Sequence, residues 1–470
     1  MNSWLENVKQ FYLSKGSFAH RTPEKIRLFP FTTHSPTPNL LAELKDFQGV
    51  CGEVNRLLNN IEPAEPFNMT SLLENVSKEV ETQHGTHLAD IIKETAFYDD
   101  GRLFCFHPKT FYYRSCTKPE KKVSTIANFC TNVLFEGQSE TLPDYRNIPA
   151  KNVFHKLILS CLPTLRKNDK SKENKNFSMI DVGLCEPFQE DISLMAGNTK
   201  FATIYLPELL KFYYLLYQLR LLEKLNNFFD DKELEPIYFT LDWERLSKER
   251  VAYDGGWQRL IPKGNPDYKM WSHANCLELL NHLPLKGLCS PFTYLDIKNW
   301  TETANSQDIC EAEKALDDLL SFYKTNIATL GFDWDMHNDV LFCNRAKTVI
   351  DKSHLLWRMV HCQFKHSGRK SAAEKYSSWL TLFVSQNYMK NRGRIGNTLA
   401  FNRQQLMFLS RLCIGDKGKL RLRELWTEFA RRGVAFDFDS QRQIVTLFEK
   451  LNLLEKKSDS GDAQYVRAIF

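Results

Sequence analysis

What this 470-residue sequence lacks narrows its chemistry first. It has no G-x-x-x-x-G-K-[ST] run. Gly415-Asp-Lys-Gly-Lys419 is too short, and Leu420 follows where a hydroxyl would be needed to hold Mg²⁺. A P-loop nucleotide motor is therefore not expected. None of the 12 cysteines forms a C-x-x-C pair. They stand in apolar surroundings, as in Leu103-Phe104-Cys105-Phe106 and Leu341-Phe342-Cys343, which reads as buried free thiols in a reducing cytoplasm. Met1 to Lys9 lacks the apolar segment of a secretory signal. No repeat of fixed period occurs, and no long apolar run is free of charge. The most hydrophobic stretch, Leu206 to Phe229, carries Glu208, Lys211, Arg220, Glu223 and Lys224. Each such charge at mid-membrane costs ~2.5–3.5 kcal/mol, so a buried core helix is expected there and no membrane partner.

What is present is material for large cores. Hydrophobic residues make up 43% and charged residues 25%, with 33 Phe, an ordinary globular balance. The length suits about two to four domains. A net charge of +5 is too small to demand a polyanion partner, but it is unevenly spread. From Asn391 onward, 15 Lys and Arg face 9 Asp and Glu, so this region carries +6 and the first 390 residues about −1.

The pattern predicts a mainly α protein with minor β: a multi-domain helical body followed by a C-terminal winged-helix domain. Boundaries are expected near 1–165 (mixed, mainly helical), 179–390 (central helical body) and 397–470 (winged helix). Leu40 to Leu58 reads as a helix. Ser71 to Glu94 reads as a polar helical region broken at His84-Gly85-Thr86-His87, and Leu103 to Tyr113 as a strand pair around Pro108. Arg166 to Asn176 has no apolar residue and reads as a solvated loop or a boundary. In the long helix Pro207 suits the first helical position, and Leu209 to Leu216 are apolar on nearly every face, as in a helix surrounded by protein. Pro236 to Leu241 is β-rich, and a polar helix is expected from Asp242. Further helices are expected over Trp271–Leu283, Asp308–Leu330, Ala346–Phe364 and Ala372–Tyr388. Asn391-Arg-Gly-Arg-Ile-Gly396 reads as a hinge that frees Arg392 and Arg394 to reach a partner.

The C-terminal pattern is the most explicit. Asn402 is placed to cap a helix carrying Leu406, Phe408, Leu409 and Leu412; a turn follows at 415–418 and a short strand at Leu420 to Leu422. A second helix spans Glu424 to Arg431, ended by Gly433. A third is expected from Ser440, with Gln443 completing a capping box and Ile444, Leu447, Phe448 and Leu451 forming one stripe. Two strand-like runs, 453–457 and 463–467, flank the turn residues 458–462. Helix, helix, helix, hairpin is winged-helix order. Gln441 and Arg442 on the third helix are then candidates for the major groove, and Lys456, Lys457 and Arg467 for phosphates. Winged helices also dock proteins, and Asp437, Asp439, Asp459 and Asp462 lie among these bases.

Other chemistry reads more plainly as structure. Asp242-Trp-Glu244 follows a strand-like run, yet Glu244 with Lys248 and Arg245 with Glu249 suit surface ion pairs on a helix. Asp296-Ile-Lys298 matches only the short half of a nuclease signature. His273 with Cys276, and Cys362 with His366, each offer two zinc ligands one helical turn apart, but nothing in the sequence joins the pairs, so no metal is expected. Asp254-Gly-Gly256 reads as a flexible turn. Lys365, Arg369 and Lys370, with Lys390, Arg392 and Arg394, make a second loose basic patch, read as a solvated face.

Two longer stretches carry a family resemblance. One is Tyr238-Phe-Thr-Leu-Asp-Trp-Glu-Arg-Leu-Ser-Lys-Glu-Arg250, continuing through Gly256-Trp257 to Trp271-Ser-His-Ala-Asn-Cys-Leu-Glu-Leu-Leu-Asn281. The other is Arg432-Gly-Val-Ala-Phe-Asp-Phe-Asp-Ser440 with Leu454 to Arg467. Together they resemble the DptG (DndG) family, the G subunits of the bacterial DNA phosphorothioation-dependent restriction system, and the general layout fits over most of the chain. The resemblance implies a bacterial host and a three-component machine acting on DNA that lacks backbone sulfur marks. Its other two subunits carry ATPase and translocase-like features. It transfers no catalytic residue. The expectation is a cytoplasmic, non-catalytic adaptor without cofactor, whose partners are those subunits and double-stranded DNA. The rivals are a Mg²⁺-dependent nuclease using Asp242, Glu244 or Asp296 with Lys298, and a standalone winged-helix regulator.

Overall fold

A computed structural model describes residues 3–14, 17–80, 85–98, 101–114, 121–137, 142–168, 177–261, 269–337, 346–456 and 464–468. Helices dominate them. Helices α1 (Ser3–Tyr12), α2 (Pro38–Asp46), α3 (Gln48–Asn59), α4 (Met69–Glu79), α5 (Gly85–Ala96), α6 (Lys121–Leu134) and α7 (Val153–Cys161) build the N-terminal region, with strands β1 (Leu13–Ser14) and β2 (Ser17–Phe18) paired antiparallel after α1. The helix expected over Leu40–Leu58 is two. Phe47 turns left-handed (φ 60°) because its ring is drawn inward, 5.3 Å from Tyr214 and 6.2 Å from Phe383, and the chain restarts as α3.

One expectation fails in this region. Leu103–Tyr113 is not a strand pair: Pro108–Tyr113 is a 3₁₀ turn capped by His107, and a lone bridge joins Phe97 to Leu103. Phe111, Tyr112 and Tyr113 are all buried, which a two-faced strand would not allow. The apolar-free segment begins with exposed strand residues. Strand β4 (Leu165–Lys167) pairs antiparallel with β3 (Ile61–Pro63), and Arg166 meets Glu62 at 2.9 Å. Residues 169–176 of that segment, like Leu341-Phe342-Cys343, lie outside the described residues.

The central strut is α9 (Thr199–Asn226), preceded by α8 (Cys185–Gly197). It starts earlier than its proline suggests: Asn198 caps it through the Phe201 amide, and Pro207 sits inside. It is buried over nearly its whole circumference. Its charges are partnered, as burial requires. Lys211 meets Glu208 at 2.6 Å and the Lys45 carbonyl at 3.2 Å; Arg220 donates to the Val182 carbonyl at 2.7 Å; Glu223 pairs with Arg259 at 3.1 Å. Helices α11 (Trp257–Leu260) and α12 (Lys269–Leu280) pack against it, and the body also holds α10 (Val251–Asp254), α13 (Tyr294–Thr303), α14 (Ser306–Ala328), α15 (Val349–His366) and α16 (Lys370–Asn387). Among the described residues no helix is long and apolar enough to cross a membrane.

The last part of the chain runs helix α17 (Arg403–Ile414), strand β9 (Lys419–Arg421), helix α18 (Leu422–Arg431), helix α19 (Phe438–Lys450), strand β11 (Leu454–Lys456) and strand β12 (Gln464–Arg467). The three strands form one antiparallel sheet in the order β11-β12-β9. Asn402 caps α17 in a capping box with Gln405. The third helix starts earlier than expected: Asp437, not Ser440, is its N-cap, accepting from the Ser440 amide at 3.0 Å.

This unit is stitched into the body by main chain. Strand β10 (Val434–Ala435) pairs in parallel with β5 (Ile237–Tyr238), and β8 (Asn397–Phe401) pairs in parallel with β6 (Thr240–Leu241). Strand β7 (Met389–Asn391) then pairs with β8, so the expected hinge is the tip of a hairpin. Arg392 points inward, to Thr240 Oγ1 (3.0 Å) and the carbonyls of Leu241 (2.7 Å) and Glu244. The polar helix expected from Asp242 does not form. Glu244 turns inward instead, accepting from the Leu241 amide and from Ser440 Oγ, both at 2.8 Å, and meeting Arg250 at 3.3 Å. Nor is Gly255-Gly256 a loose turn. A Cβ at Gly256 would stand 2.7 Å from the Tyr238 carbonyl oxygen and 2.9 Å from that of Ala252, so glycine is needed for close approach.

Candidate nucleic-acid interface

Two faces of the C-terminal unit differ. The inner face is locked to the body. Arg432 and Asp191 are almost fully buried and meet at 2.7 Å, and Tyr213 Oη donates to the same carboxylate at 2.7 Å. Burial pushes the Asp191 carboxyl up, against the pull of Arg432. Arg431 pairs with Glu190, and this hydrogen bond holds the Glu190 carboxyl below its ordinary value. Arg250 bridges Asp437 (2.9 Å) and Ser440 (2.8 Å). For Asp437, burial works upward, but the bonds from Arg250 and the Ser440 amide outweigh it and hold the carboxyl low.

The outer face is α19 and the hairpin. Ile444, Leu447 and Phe448 are buried beneath the helix, whereas Asp439, Arg442, Gln443, Thr446, Glu449 and Lys450 form one exposed stripe at helical spacing. Arg442 lies exposed, its guanidinium 5.8 Å from the Phe438 ring centre. Gln441 is turned back, donating to the Phe436 carbonyl at 2.9 Å, and so serves the helix start rather than a groove. Lys456 bonds Glu449 at 2.8 Å; Arg467 and Lys419 meet Glu455 at 3.4 and 3.2 Å. Lys457 lies outside the described residues. Arg394 is exposed on the 3₁₀ turn Gly393–Ile395, and Arg392 is consumed by the β6 turn. The sequence places the polar side of this helix outward, but does not single out Gln443, Thr446 and Lys450 as contact candidates. The signal was Asp437-Phe-Asp-Ser440, which starts the helix a turn earlier.

The other candidates separate clearly. Asp296 is the N3 residue of α13 and accepts from the Thr293 amide (2.7 Å) and hydroxyl (2.8 Å), a helix-start role. His273 is buried, with Nδ1 3.1 Å from Tyr294 Oη and Nε2 3.2 Å from Asn226 Oδ1, so both ring nitrogens are occupied; Cys276 is buried beside it. Cys362 and His366 fare differently. The turn at Asp335–His337 brings His337 to them, and the three ligand atoms lie within 4.8 Å of one another. No family model and no curated protein matches this chain.

Proposed function

We propose that the chain is a non-catalytic, cytoplasmic assembly subunit of a DNA-restriction complex of the phosphorothioation-dependent type. Its helical body would hold the ATPase and translocase-like subunits, and a C-terminal winged helix would meet duplex DNA. The partner classes come from the family resemblance. The observation that carries the DNA contact is geometric. Helix, strand, helix, helix, strand, strand closes into a three-stranded sheet, and α19 leaves its Arg442–Lys450 stripe uncovered beside the hairpin. In a winged helix this third helix enters the major groove while the hairpin follows phosphates. Each phosphate neutralised releases counterions, so binding must fall with salt.

The test is duplex-DNA binding by the purified chain across a salt series, beside Arg442→Ala, Lys450→Ala and a Lys456→Ala/Lys457→Ala double variant. Salt-sensitive binding is expected, with each lost phosphate contact lowering the salt slope by about 1. A specific observation favours a second reading. Asp439 and Glu449 interrupt the basic stripe, and Phe438 (72% exposed) and Leu451 (48%) flank it, which suits a protein partner. No DNA binding at low salt would assign the stripe to a subunit of the complex.

A further inference from the structure

We propose that His337, Cys362 and His366 form a binding site for a zinc-class divalent ion, which ties the turn after α14 to the end of α15. The donors are right in kind: two imidazoles and a thiolate select zinc over the hard oxygen-seeking cations. They are also right in place. Cys362 and His366 share one face of α15 at i, i+4, and His337 arrives from a separate segment, so the three converge from two elements.

The turn that delivers His337 is anchored by its own contacts. The His337 amide donates to the Trp334 carbonyl at 3.0 Å, Trp334 Nε1 donates to the Lys324 carbonyl at 3.1 Å, and the Phe332 ring stacks on the imidazole at 5.3 Å. The His337 and His366 rings lie 4.5 Å apart between centres. Ligands on one tetrahedral zinc stand about 3.5 Å apart, given Zn–N and Zn–S bonds of ~2.0–2.3 Å. Ring rotations of the half-buried His337 and the exposed His366 close the remaining gap. His366 ends α15, where the negative pole of the helix favours a cation. Both histidines, though not Cys362, line a cavity of about 500 Å³ with Phe332, Asp333, Met336 and Gln363, so water can reach the imidazole side of the site. Arg369 on its rim is turned to the Phe18 carbonyl, 2.9 Å away.

Binding releases the thiol proton, because the thiolate is the ligand, and the hydrated ion sheds water ligands as the three donors enter. The experiment is Co²⁺ and Zn²⁺ titration of the full chain after chelator treatment. The expected result is one equivalent of Co²⁺ giving a thiolate-to-cobalt charge-transfer band and tetrahedral d–d bands, displaced by Zn²⁺. Cys362→Ser should abolish the charge-transfer band, whereas Cys310→Ser, at an exposed cysteine remote in sequence, should keep it. Because Cys362 is buried and its variant could disturb packing, His337→Ala and His366→Ala are the decisive variants for affinity. Each should weaken Zn²⁺ by more than the about 10–100-fold that loss of an outer hydrogen-bond partner costs, with the helical circular dichroism unchanged. No stoichiometric band, or a band and affinity indifferent to both histidine variants, would overturn the site. DNA binding is not part of this readout, so the two proposals fail separately.

Discussion

The inner and outer faces of the C-terminal unit carry similar residues and use them in opposite ways. On the inner face, Arg431, Arg432 and Asp437 are matched to Glu190, Asp191 and Arg250 from the body, several of them out of water. On the outer face, Arg442 and Lys450 alternate with Asp439 and Glu449 in solvent. A buried pair is expensive to halve, because its survivor is left charged without a partner. An exposed pair contributes little to stability and is available to a ligand. Placement, more than residue type, separates a charge that holds the fold from one able to meet a partner.

This contrast can be broken at defined points. The largest effect is expected from Asp191→Ala, which removes the buried partner of Arg432 and leaves it Glu428 at 2.6 Å: a loss of up to ~3–5 kcal/mol in denaturant unfolding. An unfolding midpoint unchanged within error would mean that the buried pair does not hold the seam. Asp437→Ala removes both a helix cap and the nearest of the carboxylates around Arg250, and ~2–4 kcal/mol should be lost. Gly256→Ala sets a Cβ against two carbonyl oxygens and should cost ~1–3 kcal/mol, read as a lowered melting temperature.

The seam should also carry a pH signature. The depressed Asp437 and Glu190 carboxyls contribute stability above the unfolded value of roughly 4, and it is lost as pH falls through their folded values. The raised Asp191 acts in the opposite sense, since protonation there favours the folded form. Asp437→Asn should therefore flatten the acid arm of the melting-temperature profile, and an arm as steep as the parent's would refute its share. Smallest of all, Arg442→Ala should shift stability by no more than ~0.5 kcal/mol while weakening DNA binding.

Much of the helical skeleton was legible because it rests on local pattern. The all-round apolar face of α9, the Asn402 cap and the Ile444–Phe448 stripe are each written within a few residues. What escaped depends on distant partners. Glu244 looks like a surface helix residue until Ser440, far along the chain, supplies its hydrogen bond. Arg392 looks free in a glycine-rich hinge until the carbonyls of β6 are seen to receive it. The two His/Cys pairs are both short-spaced and look alike in the sequence. Only the fold shows that Tyr294 and Asn226 occupy His273, while His337 joins Cys362 and His366.

The parallel pairing of β10 with β5 bears on the order of events during synthesis. Residues 237–238 leave the ribosome long before residues 434–435, yet each is the other's hydrogen-bonding partner. The middle of the body therefore waits for a partner far along the chain, and a parallel ladder of such sequence separation closes slowly. Meanwhile the edge at 237–241 is an open template for a second nascent chain. A ribosome stalled before residue 434 would thus display a body that is helical but unfinished, with its own strand acceptor still exposed.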